Sequence, residues 1–209
     1  MAQKKIAVLV SGGGTNLQAL IDAQGRGELG GGKITAVISS KEGAFALERA
    51  RLADIPGYVI PRKQYDSNRA MTLAVVELLQ KLEIDLVVLA GCMVIFTQEL
   101  VDAYPNAIMN VHPALIPSFC GEGYYGLHVH EAALAYGVKL SGATVHFVTH
   151  ECDGGPIIAQ KSVAVMNGDT PETLQKRIME EAEWELLPKA VALFCEDRLE
   201  VVGRTVIVK

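Results

Sequence analysis

Asn110 and His112 stand two apart at the end of an apolar run, Ala107–Val111. Alternate residues of a strand face the same side, so these two side chains are expected to converge on one point. Further along, Asp153 precedes Gly154-Gly155-Pro156, a rigid turn able to aim a carboxylate inward. The three residue types suit the transfer of an acyl group to an amine. Attack on the acyl carbon builds negative charge on its oxygen, and an asparagine amide and a protonated imidazole can both donate to that oxygen. Removing one such donor costs roughly 3–4 kcal/mol of transition-state stabilisation. Histidine alone is mostly neutral near neutral pH, so Asp153 is expected to favour the protonated form of His112 and to manage a proton through water. Taken singly, a His-Pro after a strand also reads as a packed loop histidine, and Asp-Gly-Gly as a plain turn.

A second feature lies near the start of the chain. The apolar run Lys5–Val10 passes into Ser11-Gly12-Gly13-Gly14-Thr15-Asn16, and Leu17-Gln18-Ala19-Leu20-Ile21 then reads as a helix. A glycine turn between strand and helix exposes backbone N–H groups at the positive helix end and holds a phosphate without a cationic side chain. Thr15 and Asn16 can add donors. No Lys-Ser or Lys-Thr follows the glycines, so the Walker pattern is absent. The dinucleotide fingerprint also fits poorly, because the second strand ends Val37-Ile38-Ser39-Ser40-Lys41 without an acidic residue. The plain alternative is a tight turn that lets helix pack on strand.

These groups need a scaffold, and the pattern supplies one. Strands are expected at Lys5–Val10, Ile34–Ser39, Leu86–Ala90, Ala107–Val111, Ala143–Thr149, Ile157–Val163 and Val201–Val208. Between them, helices are expected at Asn16–Ala23, Ala44–Ala53, Asn68–Leu82, His128–Tyr136 and Pro171–Phe194. The first three strands are continuous apolar runs, as in a parallel sheet buried on both faces. The alternation predicts an α/β fold: a Rossmann-like, doubly wound, mostly parallel sheet with helices on both faces. At 209 residues a single domain is expected. The longest irregular stretch, Pro113 to Gly126, is of a length that usually carries function.

A net charge of −5 gives no broad reason to bind nucleic acid or an anionic membrane. The apolar run Ile6–Val10 is too short for a signal peptide, and no stretch approaches the roughly 20 residues that span a bilayer. The expectation is a cytoplasmic protein whose four scattered cysteines are reduced. His128, His130, His146 and His150 invite a metal, but no HExxH or paired-cysteine spacing supports one, and none is expected. Cys120 and Cys152 fall in loops near the expected centre, where a direct transfer needs no covalent intermediate.

Jointly and in order, the segments Val8–Ala19, Val87–Gly91, Asn110-Val111-His112-Pro113, Thr144–Val148 and Asp153–Pro156 resemble the phosphoribosylglycinamide formyltransferases, folate-dependent enzymes of purine synthesis. The similarity runs from Ile6 to about Leu199. It implies the formyltransferase fold, with a phosphate-binding half over about residues 1–100 and a catalytic and folate-binding half over about 101–209. It implies Asn110, His112 and Asp153 as the catalytic set, with Gly14, Thr15, Asn16, Pro113 and Glu183 on the ribonucleotide, Glu183 at its amine. The donor would be 10-formyltetrahydrofolate, held by Met93, Val94, Ile95, Phe96 and Arg69 and by the loop Thr149, His150, Glu151 and Cys152, with no metal. Partners would be small molecules, the protein a monomer or homodimer. Many members carry an arginine at the position of Val94 and another near Asn68, both at the folate end, and the stretch 119–126 exceeds their usual Pro-Gly loop. Two rivals remain: a formyltetrahydrofolate hydrolase using the same site with water, and a non-catalytic phosphometabolite sensor.

Overall fold

Residues 3–209 are described by a computed structural model. Nine strands form one sheet: β1 (Lys5–Val10), β2 (Lys33–Ser39), β3 (Gly57–Val59), β4 (Leu86–Leu89), β5 (Ile108–His112), β6 (Leu140–Phe147), β7 (Ile157–Ala164), β8 (Leu199–Val202) and β9 (Thr205–Val208), in the order β3-β2-β1-β4-β5-β6-β7-β9-β8. The run β3-β2-β1-β4-β5 is parallel throughout, and β6 then enters antiparallel to both of its neighbours. Among the described residues seven α-helices join them: α1 (Thr15–Gly25), α2 (Phe45–Leu52), α3 (Asn68–Lys81), α4 (Gln98–Ala103), α5 (Leu127–Tyr136), α6 (Pro171–Ile178) and α7 (Trp184–Cys195).

The apolar composition of β1 explains the layering. Ile6, Val8 and Val10 share one core with Leu17 and Leu20 of α1, Ala46 of α2, Ile178 of α6 and Leu187 of α7. Ala7 and Leu9 face the other way, into a core with Met71, Val75 and Leu79 of α3 and Leu100 of α4. Period-two alternation thus divides the apolar residues Ile6–Val10 between two cores, which is why the run shows no polar face.

The expected elements recur with four differences. β6 begins at Leu140 and ends at Phe147, so Thr149 lies in a loop. The run read as one strand over 201–208 belongs to a hairpin, β8 and β9, turned at Gly203-Arg204 with Gly203 at φ 60. The long last helix is two helices joined by a π-helical turn, Met179–Glu183. β3 and α4 went unforeseen because they span only three and six residues, too few to show a period.

Candidate active site

β1, β4 and β5 are adjacent and parallel, so the turn after β1 and the end of β5 share one edge of the sheet. Two strand spacings, about 10 Å, separate them. Gly14 caps α1 in the left-handed conformation, φ 71, with no side-chain cap among the described residues. The first N–H groups of α1 are thereby left for an external acceptor. A Cβ at Gly14 would lie 2.6 Å from that of Ala46, so glycine also lets α2 approach the turn. Arg49 ties the turn down through a hydrogen bond to the Gly13 carbonyl, 2.9 Å.

Asn16 does not simply face outward. Its Nδ2 donates to Oε2 of Glu183 at 2.7 Å, and both residues are buried. The glycine loop is thus tied to the π-helical turn, a device common where a helix must re-aim a functional side chain. Burial pushes the Glu183 carboxyl up to about 7, with the Asn16 hydrogen bond pulling it down. Oδ1 of Asn16 has no hydrogen-bond partner among the described residues.

Asn110, His112 and Asp153 come together, and a fourth residue joins them. Antiparallel pairing sets Asn110 opposite His146 and His112 opposite Thr144. Nδ1 of His146 lies 2.9 Å from the Phe147 carbonyl, which only an N–H can satisfy, so Nε2 carries the lone pair of the neutral ring. Asn110 Nδ2 donates to that lone pair at 3.3 Å, leaving its second N–H for another acceptor. Asp153 Oδ2 lies 3.5 Å from His112 Nδ1, and Oδ1 lies 3.6 Å from His146 Nε2. The sequence singles out His146 only among the histidines that invite a metal. Its one sequence signal is its place on the strand that carries the 144–148 motif.

Asp153 is held at φ 52, an uncommon conformation outside glycine, by the turn that follows β6. A Cβ at Gly155 would overlap the Phe147 carbonyl oxygen, so only glycine closes that turn. The loop from 113 to 126 also reaches the centre: His112 Nε2 donates to the Phe119 carbonyl at 2.8 Å, and the Gly121 N–H donates to Asp153 Oδ2 at 2.9 Å.

Burial is the largest influence on His112 and lowers its pKa, outweighing the pull of Asp153 and the Phe119 carbonyl in the other direction. The expectation that Asp153 keeps this imidazole charged is therefore corrected, because desolvation exceeds the attraction. Burial raises the Asp153 carboxyl, but the imidazoles of His146 and His112 beside it and the Gly121 N–H together outweigh it and hold the group below its ordinary range.

The remaining expected residues divide. Pro113 directly follows β5. In the segment after β4, Val94 and Phe96 turn inward against the second core, while Met93 and Ile95 are exposed. The Met93 N–H donates to Ser11 Oγ at 2.9 Å, tying this segment to the end of β1. Thr149, His150, Glu151 and Cys152 form the loop after β6, with His150 Nε2 3.5 Å from Asp102 of α4. Arg69 pairs with Glu99 of α4 and does not stand free beside the segment 93–96. His128 pairs with Glu131, and His130 is buried with neither ring nitrogen partnered among the described residues. No group of three or more His, Cys, Asp or Glu is arranged to hold a metal among the described residues.

The "Formyl transferase" family model matches residues 4–191. The phosphoribosylglycinamide formyltransferase of Haemophilus influenzae is 41% identical over 95% of this chain and 90% of its own length. The crystal structure of glycinamide ribonucleotide transformylase 1 from Symbiobacterium toebii superposes with a TM-score of 0.93 at 43% identity, covering 99% of this chain and 94% of that one. A formyltetrahydrofolate deformylase from Pseudomonas syringae superposes at 0.88 with 30% identity, but this chain covers 66% of it.

Proposed function

Because the chain belongs to the formyl transferase family, we propose that it carries a formyl group from 10-formyltetrahydrofolate to the amine of glycinamide ribonucleotide, giving formylglycinamide ribonucleotide in de novo purine synthesis. The observation that carries this reading is the meeting of Asn110, His112 and Asp153 about 10 Å from an uncapped, glycine-led helix start. An amine and a phosphate on one ribonucleotide fit those two stations.

The folate supplies the activated formyl carbon. Residues of suitable chemistry for it lie beside the centre: the exposed apolar Met93 and Ile95 and the polar loop 149–152. Asn110 offers its second N–H to the formyl oxygen, held in register by His146. His112 is neutral at rest and takes up at Nδ1, beside Asp153, the proton that the attacking amine gives up; Asp153 stabilises the imidazolium so formed, and the proton passes on to folate N10 as its bond to the formyl carbon breaks. For His112 to offer Nε2–H to the reacting group, the Phe119 carbonyl must yield it. Gly14, Thr15 and the first turn of α1 receive the phosphate, and Asn16 holds Glu183 where the substrate amine would arrive. No step requires a metal. We read the chain as one domain acting as a monomer or homodimer in the cytoplasm, in keeping with four free thiols.

Hydrolysis by water at the same centre is the weaker reading, since the deformylase is the more distant of the two solved structures compared. The test is deformylation of 10-formyltetrahydrofolate followed spectroscopically, with and without glycinamide ribonucleotide. Turnover that requires the ribonucleotide supports the transferase; equal turnover without it overturns that reading for the hydrolase.

A further inference from the structure

α2 approaches the glycine turn with two donors. The Ala46 N–H donates to the Gly12 carbonyl at 3.1 Å, and Arg49 Nε donates to the Gly13 carbonyl at 2.9 Å. In a trans peptide the C=O of one residue and the N–H of the next point in opposite directions. Both carbonyls are turned to α2, so the N–H groups of Gly13 and Gly14 are turned away from it. Neither donates to another backbone group among the described residues. Successive N–H groups aimed to one side, just ahead of the first turn of α1, form a concave cradle for an anion.

Arg49 is itself held in place. Its Nη1 donates to Gln18 Oε1 at 2.8 Å, one turn into α1, and its guanidinium carbon lies 5.0 Å from the centre of the Phe45 ring. Its Cδ lies 3.5 Å from the place that a Cβ of Gly14 would take. No carboxylate pairs with it among the described residues: Glu48 is held by Arg51, and Asp22 is reached only through Gln18. This half-buried guanidinium therefore keeps its positive charge beside the cradle. A second observation, independent of the turn, points to a ligand here. Asn16 is only 8% exposed, yet its Oδ1 has no hydrogen-bond partner among the described residues. A buried acceptor of that kind calls for a donor from outside the chain.

We propose that Arg49 is the positioning residue of the phosphate cradle: by fixing the Gly13 carbonyl it aims the Gly14 N–H at the phosphate, and its uncompensated charge adds to the attraction. The inference rests on the reading of the glycine turn as the seat of the ribonucleotide phosphate. Arg51, two residues on, has no such part, because it is paired with Glu48.

The test uses wild type, Arg49→Ala, Arg49→Lys and Arg51→Ala. Inorganic phosphate is titrated by calorimetry without either substrate, and KM and kcat are measured for glycinamide ribonucleotide and for the folate donor. Arg49→Ala should weaken inorganic phosphate and raise the ribonucleotide KM about 10-fold each, as expected for losing a charge-assisted hydrogen bond. Its kcat and donor KM should stay within about twofold of wild type, because the phosphate is held alike in the ground and transition states. Arg49→Lys keeps the charge but loses the fixed Nε–H, so it should fall between the two, about 3-fold weaker than wild type. Arg51→Ala should match wild type. A phosphate Kd in Arg49→Ala within about twofold of wild type overturns the inference, as does a donor KM that rises as far as that of the ribonucleotide. An Arg49→Lys variant equal to wild type removes the positioning role, and an equal effect from Arg51→Ala makes the attraction diffuse; either overturns it. So does a wild type that binds no inorganic phosphate, since a preformed cradle must hold the bare anion. Failure of wild type to formylate the ribonucleotide would instead overturn the parent reading, while the phosphate titration still decides the role of Arg49.

Discussion

Asp153→Asn is the sharpest probe of the proposed centre, because it changes charge with almost no change in shape. The carboxylate lies 3.5 Å from His112 Nδ1, with side chains only 5% and 10% exposed. At an effective dielectric of about 20, opposite unit charges at that distance attract by roughly 4–5 kcal/mol. Solvent reaching the carboxylate and the residual dipole of the amide bring the loss to about 3 kcal/mol of imidazolium stabilisation, or roughly 10²-fold in rate. The asparagine amide can also donate to His112 Nδ1, which favours the neutral ring further. Formyl transfer to glycinamide ribonucleotide should therefore fall about 100-fold in kcat, with a melting temperature close to that of wild type showing that the turn survives. A variant that keeps more than about a fifth of wild-type kcat would refute the reasoning, since no screening of so buried a pair reduces it that far.

Glu183 makes stability depend on pH with a definite sign. Its folded pKa of about 7 lies above the ordinary 4.5, so its contribution is complete below 4.5 and is lost as pH rises through about 7. Glu183→Gln escapes that loss, and its melting temperature relative to wild type should climb between about pH 5 and 7.5; a constant offset across that range would show that the carboxyl does not titrate there. Gly155→Ala should cost at least about 2 kcal/mol in denaturant unfolding, because the new methyl meets the Phe147 carbonyl that holds His146. Stability within about 0.5 kcal/mol of wild type would mean that the turn relaxes freely.

Much of the scaffold was legible in the sequence because its signals are local. Ile6–Val10 is apolar on every residue, which suits a strand covered on both faces, and the glycine turn before Leu17 announces the start of α1 without any tertiary information. The same locality exposed the chemical types at Asn110, His112 and Asp153, and the spacing of the first two put them on one side of β5. Locality also explains what was missed: β3 and α4 are too short for a period, and the π-helical turn before Trp184 leaves the helical pattern almost unbroken.

Other features were decided only when distant segments met. His146 is one more alternating residue of β6 until antiparallel register sets it beside Asn110. Asn16 reads as a phosphate donor until Glu183, 167 residues away, takes its amide. Arg69 reads as a free cation until α4 brings Glu99 to it. The protonation state of His112 depends on how far burial outweighs a carboxylate from another loop. Residue type and spacing select the chemistry available, whereas register, partner and solvent access arise from long-range packing, and those determine which atom of each side chain is free to act.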